Sequence, residues 1–183
     1  MDTSKLTFLL IYFLHCSSAE IAVQLERFEQ IGGEHLLETS ALRVRKYNRT
    51  TFTANGTFLL LQDIDETYEA TLKTAYSRLG NNQFNEYPMK IPQKTLCQVI
   101  VDEYQQYQYV FQGRSNLPIF PSGTKRFCPF PKGEYWIRDL LPDASWVPPV
   151  VPAGYWRFTV ECWRKKELQA SLRIFLRITK GFI

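Results

Sequence analysis

The sequence predicts an antiparallel β-sandwich or cup carrying one α-helix. Three observations lead there. Most of the chain alternates apolar and polar residues with the period of half-buried strands, most cleanly from Leu168 to Ile178. One segment, Thr95 to Phe111, has the period of a helix instead. The runs are separated by glycine, proline and charged turn signals, with no linker, internal repeat or low-complexity stretch to mark a domain boundary.

The N-terminus, MDTSKLTFLLIYFLHCSSAE, reads as a secretory signal peptide. Lys5 gives a positive n-region, and Leu6 to Leu14 form an apolar run too short to span a bilayer. Ser17 and Ala19 place small residues before a cleavage site, so residues 1–19 are expected to be removed and residues 20–183 to form a single domain. A secreted, extracellular, monomeric protein is expected.

Glu20 to Phe28 alternates loosely and reads as a first strand, broken by Gly32-Gly33. Ser40 to Tyr47 is a second, with Leu42 and Val44 on one face and Arg43 and Arg45 on the other. Asn48-Arg49-Thr50 and Asn55-Gly56-Thr57 are glycosylation sequons, so Asn48 and Asn55 are expected on solvent-facing turns or strand ends. Asn55-Gly56 also has the composition of a turn between strands. Gly56 to Asp63 continues as a strand. Asp63-Ile64-Asp65-Glu66 reads as a solvated turn, since it lacks the glycine and distal glutamate of a calcium loop. Tyr68, Ala70, Leu72, Thr74 and Tyr76 alternate as the next strand, and Gln83 to Ile91 is extended, confined by Pro88 and Pro92 to an edge or a connector.

In the helical segment Leu96, Ile100, Tyr104, Tyr107 and Phe111 form one apolar stripe, with Thr95 as N-cap and Gly113 as the stop. The stripe serves either as core packing or as one wall of a cavity. Glu134 to Asp139 is a short strand. Residues 141–152 are apolar yet rich in proline, which keeps them out of a central strand. In that run Trp146, Val147, Val150 and Val151 form a rim loop with two possible fates: a lid folded over the open end of the cup, or an exposed lip through which a lipid enters. Tyr155 to Arg164 and Leu168 to Ile178 form a hairpin about a charged turn.

Four cysteines are present, and Cys16 leaves with the signal. The remaining three allow three pairings, between which the spacing does not choose. Cys162 falls on the apolar side of its strand with Trp156, Phe158 and Val160, a natural place for a small buried hydrophobe. That leaves Cys97 and Cys128, whose bond would close a loop worth roughly 3–4 kcal/mol on the chain-entropy model.

Enzymatic chemistry is not expected. His35 is the one histidine outside the signal, and no GxSxG, HExxH, CxxC, P-loop or GxGxxG accompanies it. No catalytic residue, metal or cofactor is assigned. The formal net charge of +4 is scattered, and Arg164-Lys165-Lys166 beside Glu167 reads as a solvated turn, so nucleic acid is not an expected partner. Aromatic residues make up 15% of the chain, enough to enclose an apolar pocket in a small domain. The residues expected to line it are Leu96, Ile100, Tyr104, Tyr107, Phe111, Trp156 and Phe158.

One family resemblance runs through most of the chain. RVRKYNRTTFTANGTF, Asp63-Ile64-Asp65, Tyr87-Pro88, Cys97, Ser115-Asn116-Leu117-Pro118, Cys128-Pro129, Pro131 to Tyr135 and Pro152 to Arg157, in that order and spacing, resemble the insect chemosensory protein B family of small secreted proteins. That family is distantly similar to the ganglioside activator and the MD-2-related lipid-recognition fold. The resemblance implies a β-cup around a lipid cavity, with Cys97 and Cys128 matching the family's usual pair and Cys162 additional. It also implies a role in chemosensation. The partner would be a hydrophobic small-molecule ligand, lipid or pheromone-like, or else a membrane receptor or channel modulated without a carried ligand.

Overall fold

A computed structural model describes residues 20–181, except for the side chains of Glu20 and Trp146. The signal-peptide reading falls on residues 1–19, outside the described residues. Among the described residues nine strands make two antiparallel sheets: β1 (Glu20–Gly32), β2 (Leu37–Glu38), β3 (Arg43–Lys46), β4 (Phe52–Leu60), β5 (Tyr68–Ser77), β6 (Asn85–Thr95), β7 (Gly133–Leu140), β8 (Gly154–Arg164) and β9 (Glu167–Gly181). The larger sheet has the order β1-β9-β8-β5-β6. The smaller is built around β4, which pairs with β2, β3 and β7. The mainly β, antiparallel architecture with one helical segment among the described residues is the fold class expected from alternation.

Two long strands, β8 and β9, form the expected hairpin, with Lys165 and Lys166 at positive φ in its turn. Pro88 and Pro92 lie in β6, at the edge of the larger sheet. There a missing N–H costs no ladder bond if it faces away from the neighbour. The expected turn at Asn55-Gly56 is corrected: β4 runs straight through both residues. A bulge between Ala54 and Gly56 in the pairing with β7 takes the place of the turn. Gly56 has φ +124, and a Cβ there would stand 2.1 Å from the Ala41 carbonyl oxygen. The glycine thus answers to a close backbone approach and not to a reversal of the chain.

The helical segment, α1, starts where Thr95 accepts a hydrogen bond from the Gln98 amide at 3.3 Å. It is not uniform. An α-turn at Leu96–Val99 passes into a π-turn at Ile100–Tyr104, an α-turn at Gln105–Tyr107 and a 3₁₀ turn at Gln108–Phe111. The π-turn shifts the angular register of everything after it. Ile100 is therefore buried as expected, while Tyr107 turns out to 43% exposure. Gln108 faces the protein instead, accepting from the Phe120 amide at 2.7 Å and donating to the Phe120 carbonyl at 2.7 Å.

One core cluster packs between the sheets and a second packs the larger sheet against the proline-rich loop. At one end Leu36, Ile64, Tyr68 and Ala170 pack with Leu37, Leu60, Leu96, Phe130 and Cys162. At the other, Val151, Trp156 and Ile178 pack with Ile21, Val23, Tyr76, Tyr87, Val147, Phe158 and Leu176. Cys97 and Cys128 are bonded, with Cα atoms 5.6 Å apart, and Cys162 is free. Burial pushes the Cys162 thiol up to about 11.

Two outcomes are expected. Gly56→Ala should destabilise the fold by roughly 1–3 kcal/mol, read as a fall of several degrees in the unfolding midpoint. An unchanged midpoint would contradict the close approach to Ala41. Cys162 should alkylate in the native state at pH 8 roughly a hundredfold more slowly than in denaturant, because the folded thiol is rarely ionised there. Equal rates would show that Cys162 is not packed as described.

Candidate functional site

Between the two packed ends the inner faces of the sheets do not meet. A cavity of about 320 Å³ lies there. Its walls are Leu25 and Phe28 of β1, Leu72 of β5, Phe158 of β8, and Ile174 and Leu176 of β9 on the larger sheet. Ala54 and Leu140 face them from the smaller sheet, Leu141 and Pro142 follow β7, and Val110 and Phe111 come from the last turn of α1. Every lining residue is apolar.

Local structure explains why these side chains converge. In β1 the register shifts between Leu25 and Arg27, so Leu25 and Phe28, three apart, share the inner face. Phe158 stands opposite both Ile174 and Thr74, in a row across the sheet. Ala54 and Leu140 are cross-strand partners, and alanine's small size leaves room on that wall. Val160, on the same inner face as Phe158, stays 37% exposed, and Leu168 is 48% exposed. These positions belong to the apolar side of their strands, yet no second layer fully covers them.

The wall from α1 is held by a chain of aromatic rings. Phe58 stacks on Tyr135 at 5.3 Å, Tyr135 meets Phe130 at 5.4 Å, and Phe130 meets Phe127 at 6.0 Å. Phe127 lies 4.3 Å from Phe120, Phe120 6.0 Å from Tyr104, and Tyr104 5.6 Å from Phe111. Tyr104 donates to the Pro118 carbonyl at 3.0 Å, and its burial pushes the phenol up to about 12. At the cavity's edge the Tyr109 hydroxyl reaches the Asp143 carboxylate at 3.3 Å, linking α1 to the segment after Pro142. Hydrogen bonds from Ser145 hold Asp143 below the ordinary carboxylate range.

Of the residues expected to line a cavity, Phe111 and Phe158 do so. The others serve elsewhere. Leu96 packs in the first cluster, Ile100 and Tyr104 fix α1, and Tyr107 faces outward. Trp156 is fully buried in the second cluster, where its indole donates to the Pro152 carbonyl at 3.2 Å. Ile174, Leu176 and Leu72 lay on alternating apolar faces and were within reach of the sequence. Leu25, Phe28 and Ala54 were not, because a bulge and a small residue set their roles.

The rim loop divides between its two fates. Val147 packs into the second cluster and Val151 is buried, while Val150 is 81% exposed. The side chain of Trp146 lies outside the described residues. Asn48 is exposed in the β3–β4 connection, where its side-chain oxygen accepts from the amides of Thr50 and Thr51. Asn55 departs from the expectation of a turn or strand end. It lies within β4, half-buried, donating to the Thr53 hydroxyl at 2.8 Å and accepting from the Asp139 amide at 3.0 Å.

Other features offer less. A larger depression of about 510 Å³ is lined by Glu34, Glu38, Arg43 and neighbours, and its charged walls give little gain from desolvation. His35 is exposed beside Gln169. In the Asp63–Glu66 segment, bonds from Thr67 hold the Asp65 carboxyl below its usual range, and Asp63 accepts from the Lys132 amide at 2.7 Å. Among the described residues no group of three or more histidine, cysteine or acidic side chains could hold a metal ion. Among them, too, no helix is long and apolar enough to cross a membrane.

No curated protein matches the chain. Residues 70–158, from β5 into β8, match the family model described as "Protein of unknown function (DUF1091)", so that this stretch, with α1, the disulfide and part of the cavity wall, is similar to that family.

Proposed function

We propose that the protein is a secreted carrier of an apolar small molecule, such as a lipid, hydrocarbon or pheromone-like compound, acting in chemosensation. The observation that carries this reading is the all-apolar lining of the cavity between the sheets. Such a site selects by desolvation, at roughly 25 cal/mol for each Å² of apolar surface removed from water, and it offers water no polar partner. Its volume is at the low end of the roughly 300–1,000 Å³ of small-molecule sites, which favours a slender guest. Exposed Val160 and Leu168 extend the same apolar surface beyond the cavity itself. The resemblance to the insect chemosensory protein B family supports the biological setting, and the similarity of residues 70–158 to an uncharacterised family is compatible with it.

A second reading takes the protein as a partner of a membrane receptor that carries no ligand. Val150, at 81% exposure, favours it as an apolar contact point. In that case the interior would serve only as core.

Organic extraction of purified protein, followed by mass spectrometry, should yield a bound apolar compound. An apolar fluorophore should bind and be displaced by that compound. Ala54→Phe, which projects a ring into the cavity, should weaken fluorophore binding about tenfold or more while costing about 1–3 kcal/mol in stability. No extractable compound, together with fluorophore binding indifferent to Ala54→Phe, would favour the receptor-partner reading instead.

A further inference from the structure

The outer face of the larger sheet carries a group of arginines that the cavity does not use. Arg27 and Arg157 stand on either side of Phe175, each its cross-strand partner, on β1 and β8. Arg173 lies two residues along β9, between Glu29 and Thr159, and Arg177 lies two residues the other way, opposite Tyr155. Three of the guanidinium groups rest on rings: Arg27 is 3.7 Å above Phe175, Arg157 is 5.0 Å from Phe84, and Arg177 is 5.4 Å from Tyr155. Phe84 and Phe175 themselves meet edge to face at 5.8 Å. The cations are thus held in place by an aromatic floor.

Two of these side chains, Arg157 and Arg173, each keep a nitrogen whose hydrogen-bonding need is not met within the protein. Among the described residues, the buried side-chain nitrogen and oxygen atoms without a hydrogen-bond partner are Nε of Arg157 and Nε of Arg173. These two residues are diagonal neighbours across β8 and β9, so two like charges share one spot. Burial lowers the affinity of Arg157 for its proton, the charge of Arg173 lowers it further, and Glu29 acts the other way. Two of the nearby carboxylates are engaged: Glu29 bonds Nε of Arg27 at 2.7 Å, and Glu161 bonds Lys73 at 2.9 Å. Glu86 lies farther off, on β6 opposite Ala75. An unpaired Nε on each of these half-buried side chains is costly, and the planar fork of arginine fits an oxyanion.

We propose that this face binds a sulfated linear glycan, with one sulfate seated between Arg157 and Arg173. A row of guanidiniums on a flat sheet suits a chain of repeating anions better than a single ion, which could not serve Arg27 and Arg177 as well. The aromatic faces are already covered by guanidiniums, so they have no stacking surface left for nucleobases and no apolar wedge to enter a bilayer. The proposal stands apart from the cavity, and either can fail without the other.

Calorimetric titration of the intact protein with a heparin-derived oligosaccharide tests it, with sodium sulfate and phosphatidylserine vesicles as separate arms. The oligosaccharide should bind, less tightly as salt rises. The double variant Arg157→Gln, Arg173→Gln should weaken it about tenfold or more, the loss of two or more charge-assisted hydrogen bonds. Arg45→Gln with Lys46→Gln, on exposed β3, should change it by about twofold or less, as expected of screened surface charges. Equal losses from both pairs, no loss from the first, free sulfate binding as tightly as the oligosaccharide, or binding to vesicles alone would each overturn the proposal. Far-UV circular dichroism and the thermal unfolding midpoint report that a variant has folded. If the glutamine pair does not fold, Arg157→Lys with Arg173→Lys keeps the charge but loses the fork. It should then weaken binding several-fold, and unchanged affinity would overturn the proposal equally.

Discussion

The structure depends on how one long connection is held. Between Phe111 and Gly133 the chain has no strand or helix, yet it must keep the last turn of α1 against β7 of the smaller sheet. Aromatic contacts do most of this. From Phe58 through Tyr135, Phe130, Phe127, Phe120 and Tyr104 to Phe111, each ring touches the next. Each pair contributes about 0.5–1.5 kcal/mol beyond its burial. The Cys97–Cys128 bond ties the start of α1 to the far end of the connection. Backbone bonds in both directions between Ile64 and Phe130, at 2.9 and 2.8 Å, fix that end to the turn before β5. The last ring in the series, Phe111, is a cavity wall. The scaffold that holds the connection therefore also sets one side of the site.

The same geometry explains why a cavity exists in a small domain. The sheets meet through the Leu36–Ile64–Tyr68–Ala170 cluster at one end, while at the other the proline-rich loop brings Val147 and Val151 down beside Trp156. Neither cluster reaches the middle. There the wall opposite Phe158 and Ile174 is Ala54, Leu140 and the turn of α1, where small and end-on residues leave the layers apart. Protein interiors ordinarily close to crystal-like density, so an apolar gap of this kind is a feature the fold maintains by bracing its rim. The Tyr109–Asp143 bond and the mutual bonds of Gln108 and Phe120 are that bracing.

The two faces of the larger sheet are chemically opposite. The inner face, through Leu72, Phe158, Ile174 and Leu176, is apolar without a single charge in the cavity. The outer face sets arginine over aromatic rings, with Phe175 buried beneath Arg27. Alternation places the two sets on adjacent residues of the same strands, such as Arg157 and Phe158, so one sheet can present an apolar surface and a cationic one without interference.

The sequence by itself determined most of the strands with their faces, the helical segment at Thr95 to Phe111 and the apolar side on which Cys162 lies, because period and burial are written in neighbouring residues. Leu168 to Ile178 alternated as β9 does, and Thr95 capped α1 as its chemistry requires. What only the tertiary structure decided are the departures from regular period and the meetings of distant segments. The π-turn after Ile100 rotated Tyr107 out and Gln108 in, and the bulges in β1 and β4 moved Phe28 inward and made Asn55 a strand residue. Trp156 looked like a cavity wall, yet the loop at Val147 and Val151 buried it completely. A one-residue shift in register costs little locally and is set by packing against partners far away in the chain, so the local sequence carries almost no record of it.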